Sequence, residues 1–169
     1  MKISIISDIH DNLTNLNKFL KWASRHEIEA ILCCGDVSNL ETISILSSGF
    51  DGNIFLVQGN MELFEPEELK GFGNIHHGGR IQVWSFDGKK IGACHEPFLI
   101  DKVLTKEDCD LVFYGHTHKP WQESRGDVLI VNPGTLGGVF SKATFAFYDT
   151  SSSEPELKIL ERLEGLNGA

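Results

Sequence analysis

Positive charge is what this 169-residue sequence has least of. Fifteen Lys and Arg stand against 24 Asp and Glu, a formal net charge of −9. Binding held mainly by the phosphate backbone of a long nucleic acid needs clustered Lys and Arg, so that class of function is disfavoured. A small phosphate ester is not excluded, because bound metal ions would make a site locally positive. Long hydrophobic runs are missing too. The apolar run Ile3 to Ile6 is far too short for a signal peptide or a membrane span, and Asp8 comes soon after it. Cysteine is limited to Cys33, Cys34, Cys94 and Cys109. Without a secretory signal these read as free thiols in a reducing cytoplasm. Cys33 and Cys34, inside an apolar run, read as small buried hydrophobes. Internal repeats, low-complexity tracts and linkers are also lacking. The expectation is therefore one cytoplasmic domain over residues 1–164, with a frayed tail at 165–169.

What is present is an alternation of apolar runs, polar turns and helical stretches. Lys2–Ser7, Ala30–Cys34 and Asn53–Val57 read as buried strands. Asn12 can cap a helix running to about Arg25, since Leu13, Leu16, Phe19, Leu20 and Ala23 recur at helical spacing. Leu40–Leu46 reads as a second helix, and Glu65–Leu69 as one or two helical turns with Pro66 near the start. His26 falls near a helix C-terminus, where a cation is favourable. Then the rhythm changes. Arg80–Phe86 and Lys89–Cys94 flank Asp87-Gly88, a strong hairpin signal. Leu111–Tyr114, Val128–Val131, Thr144–Tyr148 and Glu156–Leu160 read as further strands, while His76 and His77 read as part of a surface turn. A strand–helix first half and a strand-rich second half predict an α/β chain of two packed sheets with helices outside.

The informative feature is the polar segment at the end of each strand. Asp8 and His10 come after the first, Gly35-Asp36 after the second, Gly59-Asn60 after the third, His95 after the Lys89–Cys94 strand and Gly115-His116-Thr117-His118 after the next. Five strands thus each bring a metal-competent side chain to the carboxyl edge, where open α/β sheets bind ligands. Asp8 and His10 are two apart, as are His116 and His118, so each pair would face one way in an extended segment. The set Asp8, His10, Asp36, Asn60, His95, His116 and His118 takes four of the chain's seven histidines. It is too large for one tetrahedral zinc and suits two ions of higher coordination. Mixed imidazole and carboxylate donors favour Mn, Fe, Zn, Co or Ni over Ca or Mg.

In this order and spacing the motifs resemble the calcineurin-like metallophosphoesterase superfamily. They are Asp8-Ile9-His10, Gly35-Asp36, Gly59-Asn60-Met61-Glu62, His95 and Gly115-His116-Thr117-His118, with Asn132-Pro133-Gly134-Thr135 as a further family segment. The short length resembles the small prokaryotic phosphodiesterase branch. The resemblance implies a four-layer α/β/β/α sandwich of two mixed β-sheets. It also implies two divalent transition-metal ions, with Mn first and Ni, Fe, Zn or Co as alternatives. Asp8, His10 and His118 would hold one ion, and Asn60, His95 and His116 the other. Asp36 would bridge both, and Asp36, Asn60 and His95 would form the catalytic group. A hydroxide shared by the metals would attack the phosphorus of a small or activated phosphate ester, and a homodimer would be in keeping with the family.

Two positions depart from the family pattern. Met61 stands where many members have a histidine that protonates the leaving group, which tilts the expectation toward phosphodiesters and activated esters. Glu96 stands where a glycine usually comes after the lone histidine, and could orient a histidine or lie in a solvated loop. Met61, Glu96 and His76 are the candidate substrate contacts, His76 as a substitute proton donor. Two rival functions remain. One is a non-catalytic metal-binding scaffold, since the retromer subunit resembling this family reuses the fold. The other is a nuclease, against which the acidic balance speaks.

Overall fold

The computed structural model describes residues 1–152 and 154–163. The tail expected at 165–169, and residue 164 at the end of the expected domain, lie outside the described residues. Three strands, β1 (Lys2–Ile6), β2 (Ala30–Cys33) and β3 (Asn53–Leu56), run parallel. They are joined by α1 (Leu13–Arg25) and α2 (Leu40–Ser48). The edge strand β4 (Ile75–His77) continues the parallel run, while β10 (Thr144–Asp149) and β11 (Glu156–Ile159) return antiparallel on the other side, giving the order β11-β10-β1-β2-β3-β4. The second sheet contains β5 (Ile81–Phe86), β6 (Lys89–Cys94), β7 (Leu111–Phe113), β8 (Trp121–Arg125) and β9 (Val128–Asn132), ordered β5-β6-β7-β9-β8. Both sheets are mixed.

The layers arise from strand periodicity. Ile3 and Ile5 of β1 and Leu32 of β2 face inward and meet Ile91, Phe113 and Val131 of the second sheet. Ile6, Ile31 and Cys33 face outward and pack under Leu16, Phe19 and Ile43 of the two helices. On the far side a short helix, α3 (Ile100–Lys106), lays Val103 over Cys94, Val112 and Ile130. The result is a four-layer α/β/β/α arrangement. At the start of α1, Asn12 accepts a hydrogen bond from the Asn15 amide at 3.1 Å, a cap that contributes about 1 kcal/mol. The cysteines are free. Burial pushes the Cys33 and Cys34 thiols up, and the Cys94 thiol to about 12, so these three behave as inert small hydrophobes.

Three elements differ from the sequence expectation. His76 and His77 lie in β4 rather than a turn, because a three-residue edge strand carries too little alternation to show a period. Strand β8 is polar and exposed at almost every position, so it lacks the apolar pattern of a buried strand. Helix α3 spans only two turns, short of a recognisable amphipathic repeat.

Candidate metal centre

The carboxyl ends of β1, β2, β3, β6 and β7 meet at one edge, and the loops there are held in unusual backbone. Asp8, His10, Asp36, His116 and His118 all have positive φ, between 46° and 69°. Neither Asp-x-His nor His-x-His is therefore extended; Asp8 and His10 still enter one cluster as expected, but by loop geometry rather than by strand alternation. Non-glycine residues in this region cost roughly 1–2 kcal/mol each, and such strain clusters at functional sites. Cross-loop bonds hold it: Asp8 N–H donates to Gly35 C=O at 3.0 Å and His10 N–H to Asp36 C=O at 3.1 Å. Gly35 has φ 92°, and a Cβ there would lie 2.7 Å from the Gly59 nitrogen and 3.0 Å from His95 Nδ1. Only glycine lets these two loops close on each other.

Two clusters of ligand atoms result. Asp8, His10 and His118 present atoms within 4.8 Å of one another, and so do Asp8, Asp36 and His95. His118 Nε2 lies 3.2 Å from Asp8 Oδ1 and 3.1 Å from His10 Nε2. Asp36 Oδ2 lies between the clusters, 3.8 Å from His10 Nε2 and 3.2 Å from His95 Nε2. Asn60 and His116 sit side by side, with His116 Nδ1 2.8 Å from Asn60 Oδ1, and the His116 ring packs edge-on to His95 at 5.2 Å. His116 and His118, two apart in sequence, thus serve different parts of the site.

Hydrogen bonds set which nitrogen each ring offers. His95 is fully buried and its Nδ1 lies 2.7 Å from the Cys34 carbonyl, so Nδ1 carries the proton and Nε2 keeps its lone pair. His118 Nδ1 reaches the Val139 carbonyl at 3.3 Å with the same consequence. The surrounding carboxylates favour a cation here, and without a metal ion they draw a second proton onto the rings. The Asp8 carboxylate beside His10 holds its imidazolium above the ordinary range. Burial would lower His95, but Asp36 and Asp8 more than reverse it. Burial would raise Asp36, but His95 draws it below the usual carboxylate range.

Asp8 Oδ1 and His95 Nε2 are buried with no hydrogen-bond partner. Orphaned acceptors of this kind are costly without an ion. Two carboxylates, several imidazole nitrogens and an amide oxygen therefore fit divalent transition metals by their chemistry.

The supporting residues were less visible in the sequence. Glu62 accepts from the amides of Ser38 at 3.0 Å, Gly59 at 3.2 Å and Val37 at 3.4 Å, clamping the Asp36 loop to the Asn60 loop. It lies in the Gly-Asn-x-Glu motif, but spacing alone does not show a backbone clamp. Glu62→Ala is expected to cost about 1–3 kcal/mol, because three amides lose their acceptor, and to weaken metal affinity; urea unfolding and metal titration measure both. Asn132 donates to the Gly115 carbonyl at 2.8 Å, and Thr135 Oγ1 to the Asp8 carbonyl at 2.8 Å. This segment ties the His116 loop to the Asp8 loop across the two sheets.

The three candidate substrate contacts separate. Met61 is 52 % exposed at the site, and its amide donates to Asp36 Oδ1 at 2.8 Å. Glu96 is buried and accepts from Arg80 Nη2 at 2.8 Å. It is therefore neither in a solvated loop nor hydrogen-bonded to a histidine. His76 reaches Asn53 Oδ1 at 2.9 Å and stacks on Phe55. Asn53 opens β3, whereas the ligands lie beyond its other end, so His76 is turned away from the clusters.

Phosphodiesterase MJ0936 of Methanocaldococcus jannaschii is 29 % identical, over 95 % of this chain and all of the relative. A solved archaeal phosphodiesterase superposes with a TM-score of 0.83 at 28 % identity, covering 94 % of this chain and 99 % of the other. Vps29 of Chaetomium thermophilum shares the fold, with a TM-score of 0.70 at 22 % identity over 93 % of this chain and 88 % of its own. The family model for the calcineurin-like phosphoesterase superfamily domain matches residues 1–153, and the chain belongs to that superfamily.

Proposed function

We propose that this chain is a phosphodiesterase with a two-metal centre, acting on small or activated phosphate esters. The observation that carries this reading is the pair of ligand clusters sharing Asp8, with Asp8 Oδ1 and His95 Nε2 buried and unpartnered between them. The similarity to MJ0936 supports the diesterase assignment. Asp8, His10 and His118 would hold one ion, and Asn60, His95 and His116 the other. Asp36 Oδ2, between His10 and His95, would be shared. Mn suits this donor set first, with Ni, Fe, Zn or Co as alternatives. When bound, such ions lower the pKa of water and offset charge on phosphoryl oxygens.

The protein's own part is to hold, orient and exclude. The Cys34 and Val139 carbonyls keep the Nε2 lone pairs of His95 and His118 on the site. Buried Asp8 and Asp36 keep their carboxylates among the imidazoles. Met61 has no proton to give, so either water supplies the proton or the leaving oxygen is one that is stable as an anion, as an aryl oxide is. Met61→His is expected to raise turnover of alkyl esters by about 10²-fold or more, the range of one general acid, with little change for aryl esters. Parallel assays on an aryl and an alkyl diester check this, and an equal change in both would show that Met61 does not set the leaving-group preference.

The scaffold alternative draws on the Vps29 likeness, which below 25 % identity speaks to fold. A scaffold has no chemical need of seven donors. The nuclease alternative sits poorly with a net charge of −9. Among the described residues no helix is long and apolar enough to cross a membrane.

A further inference from the structure

Phe140, on the loop between β9 and β10, is 98 % exposed, more than any other large apolar side chain among the described residues. Its φ is 61°, a region that bulky side chains rarely adopt. The loop that carries it is fastened to the candidate centre. Gly137 N–H donates to the Asp8 carbonyl at 2.9 Å, and Asn12 Nδ2 donates to the Gly137 carbonyl at 2.8 Å. His118 Nδ1 reaches the Val139 carbonyl, and Ser141 Oγ donates to the His118 carbonyl at 2.8 Å. The Phe140 ring lies 6.3 Å from the His118 ring, with only 22° between their planes. At the other end of the site Met61, next to Asp36, is also exposed, as is Leu63, whose amide donates to the Ser38 carbonyl at 2.8 Å. A polar cluster fit for a phosphate group thus has apolar side chains at both ends. Lys119 and Lys142, both exposed, come directly after His118 and Ser141 in the sequence.

We propose that Phe140 is a specificity-determining residue: its ring is the platform on which an aromatic substituent of a phosphate ester stacks while the phosphate sits at the metal cluster. This rests on the phosphodiesterase reading and names the substrate class of that site. Among the described residues His118 is the one ring beside Phe140, and this near-parallel placement suits offset stacking of a third planar group. Strain in the Phe140 backbone is held by bonds to the ligand loops, so the platform is positioned before a ligand arrives.

Titration calorimetry on the Mn-loaded protein tests this with two pairs of probes. Phenylphosphonate and methylphosphonate differ by an aryl group; adenosine 5′-monophosphate and ribose 5-phosphate differ by a nucleobase. Wild type is expected to prefer phenylphosphonate by about five- to tenfold, the scale of one aromatic pair. Phe140→Ala should collapse that preference to within about twofold, leaving methylphosphonate binding unchanged, and Phe140→Tyr should restore it. A parallel collapse in the second pair extends the platform to nucleobases; collapse in the first pair alone restricts it to small aryl groups. An unchanged preference in Phe140→Ala overturns the proposal, as does equal weakening of both phosphonates, which would mark a disturbance of His118. Wild type binding methylphosphonate but not favouring the phenyl compound also overturns it, while leaving the ester site standing. Failure to bind any of the four probes overturns the site itself.

Discussion

Asp8→Asn is expected to lose metal binding and to lower diester hydrolysis by roughly 10²–10³-fold or more, the scale of removing a preorganised charge from an active site. Asp8 is fully buried and belongs to both ligand clusters, so one substitution removes a ligand charge from the position proposed with His10 and His118 and changes the carboxylate set beside Asp36 and His95. Oδ2 accepts from the His116 amide at 3.1 Å, and the asparagine carbonyl can keep that bond. The loss therefore falls on Oδ1, which faces His118 and His10 at 3.2 and 3.7 Å without a hydrogen bond. Stability should move the other way in the metal-free protein. Where pH lies above the raised His10 and His95 range and the rings are neutral, a buried carboxylate oxygen without a partner costs about 1–3 kcal/mol, so there metal-free Asp8→Asn should be no less stable than metal-free wild type. Once metal is added the order should reverse, because only wild type gains. Urea unfolding of both proteins, with chelator and with Mn, gives the four values needed. A variant destabilised with chelator would mean that Asp8 holds the fold rather than an ion.

Metal loading should have the largest effect on thermal stability. An ion that binds only the folded state stabilises by about 2.7 kcal/mol at a hundredfold excess over Kd, so two sites give about 5 kcal/mol. At about 2–4 °C per kcal/mol for a chain of this size, the midpoint should rise by roughly 10–20 °C between chelator and saturating Mn. The gain has a pH dependence whose sign is fixed by the histidines. His10 and His95 are held above their ordinary range by Asp8 and Asp36. In the metal-free protein their contribution is therefore complete at low pH and is lost as pH rises through those raised values. Metal needs the neutral rings, so protons compete with it and the metal-linked gain shrinks as pH falls. Scanning calorimetry across the mildly acidic range would show this; a gain that grows on acidification would contradict the ligand assignment.

The strands that carry the site were legible because each ends an apolar run with a polar, metal-competent residue. Ile3–Ile6 before Asp8 and Leu111–Phe113 before Gly115-His116 are examples. The Asn12 helix cap and the Asp87-Gly88 hairpin were legible for the same local reason. What escaped was non-local. Strand β8 forms by pairing with β9 at an exposed edge, which sequence pattern does not encode. The left-handed backbone of Asp8, His10, His116 and His118 is enforced by loops distant in sequence, so i, i+2 spacing gave the right outcome for Asp8 and His10 for the wrong reason and did not hold for His116 and His118. Glu96 and Arg80 meet because the β5–β6 hairpin brings its open ends together. That pairing explains how an acidic residue is accommodated beside His95 where the family pattern has glycine. Phe140 carried no signal at all, since a single aromatic residue in a glycine-rich loop is ordinary until its neighbour is known to be His118.

The central claim is that two ions at this edge make a phosphodiesterase. The most direct test strips the protein with chelator, reloads it with Mn, counts the ions bound per chain by elemental analysis, and assays an aryl phosphodiester beside its matching monoester, with Asp36→Asn in parallel. The expected result is two ions per chain, hydrolysis restored by metal, the diester preferred, and Asp36→Asn inactive. Two bound ions with no turnover of either ester, or full activity in Asp36→Asn, would contradict it.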